Sequence, residues 1–315
     1  MSDEAPNRNG HEHTPENEPV CIRDAARSAM EGIALRAEAG GKLVTGLETG
    51  LLDLDDLTSG FQPGQLIVVA GRPSMGKSSL VLNICDHIGI NLGVPLLFVS
   101  QAMGEKEISE RIICARSRVD GHKLRTGLGL GMRELTQLSK ALKQITEKGN
   151  IFIDCGRSRT INWIAETARS SHRKRKIGIL VVDFIPTMDS NELADGRADH
   201  LAGSVRRLKT IALDLQIPVI AVAQASRDLE RRRDKRPRLG DLTESDAIES
   251  IADIVLFVHR PEYYDVEDAP GVAEIILAKN RDGPTGSIRL AFLKDLMRFE
   301  NLAATHDPLG DDVPF

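Results

Sequence analysis

The chain has 315 residues, 41% hydrophobic and 28% charged, a length and composition that exclude a fibrous or wholly disordered protein and allow a sizeable core. Net charge is −5, unevenly spread: residues 1–20 carry five acids against Arg8, residues 306–315 carry Asp307, Asp311 and Asp312, and the segment between is slightly basic. No stretch approaches the roughly 18 uncharged apolar residues of a membrane span, since Lys77 and Asp86 interrupt the best candidate, and the start Met1-Ser2-Asp3-Glu4 lacks the basic-then-apolar order of a secretory signal. A cytoplasmic protein without membrane contact is expected.

Residues 1–20, rich in Asn, Glu, Pro and His, are predicted to be a disordered acidic tail in which His11 and His13 are simply solvated. From Ile22 to Ala39 apolar residues recur at helical spacing (Ile22, Ala26, Met30, Ile33, Ala37) until Gly40-Gly41, so residues 21–42 predict an amphipathic linker helix whose stripe needs a partner. Buried-strand runs then alternate with helical patterns. Gln65–Ala70 precedes a helix from about Gly76, and Pro95–Ser100 one over Glu105–Arg116. Ile151–Asp154 precedes a helix over Thr160–Ser170; Ile179–Asp183 and Pro218–Val222 flank a helix over His200–Leu215. Ile254–Val258 and Ala273–Ala278 close the series at hairpin spacing. This order predicts an α/β fold, a mostly parallel twisted sheet with helices on both faces and an antiparallel edge extension, over residues 43–303. Residues 304–315 form a second acidic tail. Cys21, Cys85, Cys114 and Cys155 lie far apart and read as isolated thiols.

The strongest local signal is Gly71-Arg72-Pro73-Ser74-Met75-Gly76-Lys77-Ser78, with Ser79 next, a G-x-x-x-x-G-K-[ST] loop between strand and helix. Its glycines let backbone N–H groups curl around phosphate oxygens, and the following helix points its positive end at them. Lys77 suits the terminal phosphates and Ser78 a Mg²⁺ ion, so ATP with Mg²⁺ is the expected ligand. Asp183, a carboxylate ending the apolar strand Leu180-Val181-Val182, suits the metal from the carboxyl edge of the sheet.

Further motifs extend the pattern: Thr45-Gly46-Leu47-Glu48-Thr49-Gly50 with Asp53-Leu54-Asp55, Gly60-Phe61-Gln62-Pro63-Gly64, Ser117-Arg118-Val119-Asp120, Gln224, Asp234-Lys235-Arg236-Pro237 before Asp241-Leu242, and Ala278-Lys279-Asn280-Arg281-Asp282-Gly283-Pro284. From about Thr45 to Asn301 the chain resembles the C-terminal, RecA-like P-loop motor domain of the DnaB-type replicative DNA helicases. The resemblance implies a ring of six subunits with ATP between neighbours, single-stranded DNA in the channel and 5′–3′ movement. It implies that Gln224 senses the γ-phosphate and that Lys279 and Arg281 reach the neighbour's site as a basic finger pair. Arg111 matches an active-site arginine, and the helix near the amino terminus matches the linker helix that docks on the adjacent subunit. The family's N-terminal helical domain, used for ring building and primase contact, has no match before residue 45.

The chain departs from the motif pattern at three places. The catalytic glutamate of a Ser-Leu-Glu-Met-like sequence is Ala102 within Ser100-Gln101-Ala102-Met103; Glu105 is the nearest carboxylate that could replace it. Loss of a general base costs on the order of 10²–10⁴-fold in rate. Pro186 replaces a glutamine, and the DNA-facing Arg-Glu-Ser-Gly becomes Thr243-Glu244-Ser245-Asp246, exchanging a cation for an anion. Arg231-Arg232-Arg233 are candidate DNA contacts together with Glu244 and Ser245, whereas Arg173-Lys174-Arg175-Lys176 reads as a solvated helix end. One Trp, two Tyr and eight Phe leave little for base stacking, so a salt-sensitive backbone grip is expected. The final Asp311-Asp312-Val313-Pro314-Phe315 resembles the acidic tip of bacterial single-stranded DNA-binding proteins, which docks on replication partners; a frayed acidic terminus is the alternative. Two functional expectations follow: a DnaB-like helicase motor weakened at Ala102, or an ATP-binding scaffold that does not unwind DNA.

Overall fold

The computed structural model describes residues 20–38, 44–156, 159–185, 197–242 and 245–302. Pro186, Thr243, Glu244, the two histidines of the amino-terminal segment and the carboxyl-terminal tip lie outside the described residues.

Two compact units divide the chain, Met1–Leu43 and Val44–Phe315. In the first, α1 spans Ile22–Glu38, with Ile22, Met30 and Ile33 exposed. The second opens with the short α2 (Leu52–Thr58) and then alternates: β1 Leu66–Ala70, α3 Lys77–Asp86, β2 Leu96–Ser100, α4 Glu105–Ser117, α5 Gly121–Thr126, α6 Met132–Lys148, β3 Ile151–Cys155, α7 Ile161–Arg175, β4 Ile179–Asp183, α8 Arg197–Leu215 and β5 Val219–Val222. The chain continues with α9 Ser245–Ile251, β6 Ile254–His259, β7 Val272–Asn280, β8 Gly286–Leu293 and β9 Arg298–Asn301.

The nine strands among the described residues form one sheet in the order β3-β2-β4-β5-β1-β6-β7-β8-β9. The first six run parallel, and β7, β8 and β9 extend the sheet antiparallel. The parallel strands are apolar on both faces because both are covered. Ile67 and Val69 of β1 face a core built with Leu80 and Ile84 of α3, Ile88 just beyond it, and Ile108 and Ile112 of α4. Leu66 and Val68 face a second core with Ile164 and Ala168 of α7 and Val205, Leu208 and Ile211 of α8. The parallel strands thus match the apolar runs of the sequence to within a residue. The sequence patterns did not resolve α6, β8 or β9. The run Met132, Leu135, Leu138, Leu142, Ile145 carries the helical spacing of α6, although only Ala141 of this helix is fully buried. The basic run 173–176 is exposed at the end of α7, as expected.

Candidate functional site

The phosphate-loop sequence leaves β1 at the carboxyl edge of the sheet and turns directly into α3. Two glycines make the turn. Gly71 has φ +156°, and a Cβ there would stand 2.8 Å from the Val258 carbonyl oxygen; Gly76 has φ +97°, and its Cβ would meet the Phe299 ring at 2.9 Å. Gly76 also precedes α3 without a side-chain cap, so the first amides of the helix remain available to a ligand. Beside the loop lies a cavity of about 410 Å³ lined by Ser74, Gly76, Lys77, Ser78, Ser79 and Arg111, with Arg260, Lys294, Phe292 and Met297 completing its walls.

Lys77 donates from Nζ to the Arg72 carbonyl oxygen at 3.0 Å. Burial lowers its pKa to about 8; the carboxylate of Asp183 opposes that shift and the charge of Arg72 adds to it. Asp183, ending β4, is 3% exposed, hydrogen-bonded by the Ser78 hydroxyl, and its Oδ2 is buried without a partner. Burial raises its pKa, against the pull of Ser78, Lys77 and Arg111. A desolvated cation, an orphaned carboxylate oxygen and a hydroxyl therefore converge beside uncapped helix amides, and these donors fit a phosphate group with its own divalent ion. Among the described residues no cluster of three or more His, Cys, Asp or Glu could hold a metal.

Arg111 of α4 lines the cavity and is paired with Glu107 at 2.7 Å. Gln224 follows Ala223, whose N–H donates to Val69, at the carboxyl end of β5 beside β4 and β1. Lys279 and Arg281 sit elsewhere. Because β7 is antiparallel to β6, Lys279 is opposite Val255 at the amino end of β6, whereas Ala70, just before the phosphate loop, is opposite Phe257. Arg281 pairs with Asp253 at 3.0 Å, and Lys279 donates to the Glu249 carbonyl at the end of α9. The Asp253 carboxylate accepts the Leu66 N–H at 2.7 Å, at the start of β1. The basic pair is thus placed by the amino edge of the sheet, a strand's length of roughly 15 Å from the carboxyl edge that bears the loop.

Residues 46–301 match the family model of the DnaB-like helicase C terminal domain. The chain belongs to this family. It is 40% identical over 270 residues to the replicative DNA helicase DnaB of Haemophilus influenzae, covering 85% of this chain and 58% of that protein. To the replicative DNA helicase DnaC of Bacillus subtilis it is 37% identical over 269 residues, 85% of this chain and 59% of that one. The chain therefore spans under two thirds of the length of these relatives. The ATPase domain of G40P superposes with a TM-score of 0.84 at 32% identity, covering 91% of this chain and all of that one. A DnaB-like replicative helicase, described with its interactions with primase, gives 0.81 at 31% identity, over 92% and 69% of the two chains. The RadB recombinase, at 19% identity and a TM-score of 0.51 over 82% of this chain and all of that one, shares the fold alone.

Within this DnaB-like domain, Ala102 lies where β2 leaves the sheet beside Asp183. Ser100 is the register partner of Asp183, and the Gln101 N–H donates to the Asp183 carbonyl at 2.9 Å. Glu105 opens α4, exposed, and its charge acts on Cys155 at the end of β3. The basic segment after β5 is largely committed to internal ion pairs. Arg231 lies 3.3 Å from Asp228, Arg232 2.8 Å from Asp241 and Arg238 2.8 Å from Asp234; Arg236 is bidentate to Glu274. Arg233 is exposed. Ser245 begins α9, but its side chain, like Glu244, lies outside the described residues.

Sequence reasoning missed Arg260, Phe292 and Met297. Arg260, 7% exposed, donates to the Ser74 carbonyl at 3.2 Å, pairs with Glu262 and stacks over Phe292 at 4.3 Å. The alternation Ile288, Leu290, Phe292 was the available signal for the strand carrying this wall.

Proposed function

We propose that this DnaB-like domain binds ATP with Mg²⁺, hydrolyses it, and uses the cycle to move 5′–3′ along single-stranded DNA during replication, as one subunit of a six-membered ring. The observation carrying this reading is the convergence of Lys77, Ser78 and Asp183 on the uncapped start of α3. The loop amides of Ser74 to Ser78 hold phosphate oxygens, with Gly71, Arg72, Pro73, Ser79 and the buried Met75 fixing the curve. Lys77 leaves the Arg72 carbonyl for a terminal phosphate. Ser78 and Asp183 would hold Mg²⁺, which would offset the charge of the phosphates. Gln224 faces the γ-phosphate from the end of β5, and Arg111 adds charge from α4.

Lys279 and Arg281 serve a neighbour's site, a reading supported by their distance from the loop of their own subunit, and there they stabilise charge growing in the transition state. Residues 21–42 dock as a linker helix on the adjacent subunit, which gives the exposed Ile22, Met30 and Ile33 a partner. The motor domain runs over residues 43–303 between acidic tails. DNA lies against the segment of Arg231, Arg232, Arg233, Glu244 and Ser245, and Asp311-Asp312-Val313-Pro314-Phe315 docks on replication proteins.

Ala102 supports a second reading, an ATP-binding scaffold with little turnover, because it stands beside Asp183 where the family's base would be. Steady-state ATP turnover with and without single-stranded DNA decides between them. The motor reading expects native turnover that rises with DNA and vanishes in Lys77→Ala. A native protein that binds ATP silently and wakes only in Ala102→Glu establishes the scaffold.

A further inference from the structure

We infer that Glu230 is a positioning residue that ties the phosphate loop to the basic segment 225–242, so that occupancy of one is felt by the other. Arg72 belongs to the phosphate loop by sequence, yet its guanidinium is committed elsewhere. It is 8% exposed, donates from Nε to Glu230 at 2.8 Å and from Nη1 to the Ala225 carbonyl at 3.0 Å. The Ala225 N–H in turn donates to the Gly71 carbonyl at 3.1 Å, so loop and segment are joined by backbone and side chain at the same point.

The far side of that junction is the segment with the highest density of cations in the chain. Glu230 lies in the short turn Arg227–Arg231, immediately before Arg231, Arg232 and Arg233. The segment closes on itself: the Ser226 N–H donates to the Asp241 carbonyl, Ala225 bridges to Leu242, and Arg232 pairs with Asp241. A displacement at its neck therefore moves it as a unit. It is held on its outer side by Lys235 over the Tyr264 ring at 4.9 Å, while the Tyr264 hydroxyl is buried without a partner.

The near side of the junction responds to phosphate. Lys77 rests on the Arg72 carbonyl, and a phosphate oxygen competes for the same ammonium. Taking Lys77 away leaves that carbonyl with the Met75 N–H alone, at 3.4 Å, and changes the charge beside Arg72, whose own counter-charge is Glu230. A buried guanidinium does not tolerate loss of its partner, so a shift of Arg72 either carries Glu230 with it or breaks a costly pair. Glu230 is the weaker-held member, 43% exposed, and follows. Coupling by such a link is reciprocal: whatever the segment grips alters phosphate affinity by the same factor.

The inference rests on the reading of Gly71–Ser78 as a phosphate loop, and hydrogen–deuterium exchange on the full chain separates the two. The probe is Mg²⁺ with adenylyl-imidodiphosphate, which is not hydrolysed. In the native protein nucleotide is expected to slow exchange about tenfold in peptides covering residues 71–80 and again in those covering 225–242. Glu230→Ala should keep the first effect and lose the second, with Glu230→Gln, which retains an acceptor without the charge, between them. A mere brace would change exchange at 225–242 equally with and without nucleotide, leaving the difference intact. The link is overturned if Glu230→Ala retains both effects, or if native slowing stops at 71–80. No slowing at either place in the native protein overturns the phosphate-loop reading itself, and the link with it.

Discussion

Lys77 would make the proposed nucleotide binding depend on pH. Its pKa is held at about 8 by burial, and contact with phosphate favours the charged form. Nucleotide affinity is therefore expected to be flat below pH 8 and to fall by up to about tenfold per pH unit above it, as binding begins to require proton uptake. Affinity measured from pH 7 to 9.5 checks this, and Lys77→Arg, which cannot titrate in that range, should flatten the profile; a slope surviving in Lys77→Arg would place the proton elsewhere. The same shift acts on folding with the opposite slope. Between about 8 and 10.5 the unfolded chain binds more protons at this residue than the folded one, so its contribution to stability rises with pH across that window. The lysine was legible because the loop is covalently continuous. Its pKa was not, because the desolvation comes from elements distant in sequence closing over it, against the opposing charge of Asp183.

At the scale of elements, Asp253 joins three of them. Its buried carboxylate, 4% exposed, accepts from Leu66 of β1 at 2.7 Å and from Lys209 of α8 at 2.6 Å, and is ion-paired with Arg281 beyond β7 at 3.0 Å. Asp253→Asn keeps one acceptor oxygen and places an amide against a cation, and should destabilise the domain by about 3 kcal/mol. Urea unfolding measures the loss; a change below about 1 kcal/mol would show that the cations find water instead. The parallel strands were readable as apolar runs because both faces are buried. β8 carried only the weaker alternation Ile288, Leu290, Phe292 of a strand with one exposed face, and β9, four residues with two charges, carried no signal of its own, so its pairing follows from β8. That Arg232 and Arg236 have counter-charges was not readable, because Asp241 and Glu274 are brought to them by the fold of the chain.

For the whole molecule, the unit Val44–Phe315 has its own two-sided core, while α1 belongs to the unit Met1–Leu43 and exposes its apolar residues. If residues 21–42 dock on a neighbour as proposed, removing residues 1–43 should leave the melting temperature within a few degrees but abolish assembly in sedimentation velocity. A truncated chain that still forms rings would move the assembly contact into the 44–315 unit.

Sequence by itself determined the phosphate loop, the buried parallel strands and the family, because backbone turns at Gly71 and Gly76 and apolar periodicity act between residues close in the chain. Only the tertiary structure decided which edge of the sheet bears Lys279 and Arg281, what neutralises the basic segment, and that Arg72 turns to Glu230. Those are ion pairs between residues up to 158 positions apart, and a charge is neutral or free only once strand order and direction have fixed what stands beside it.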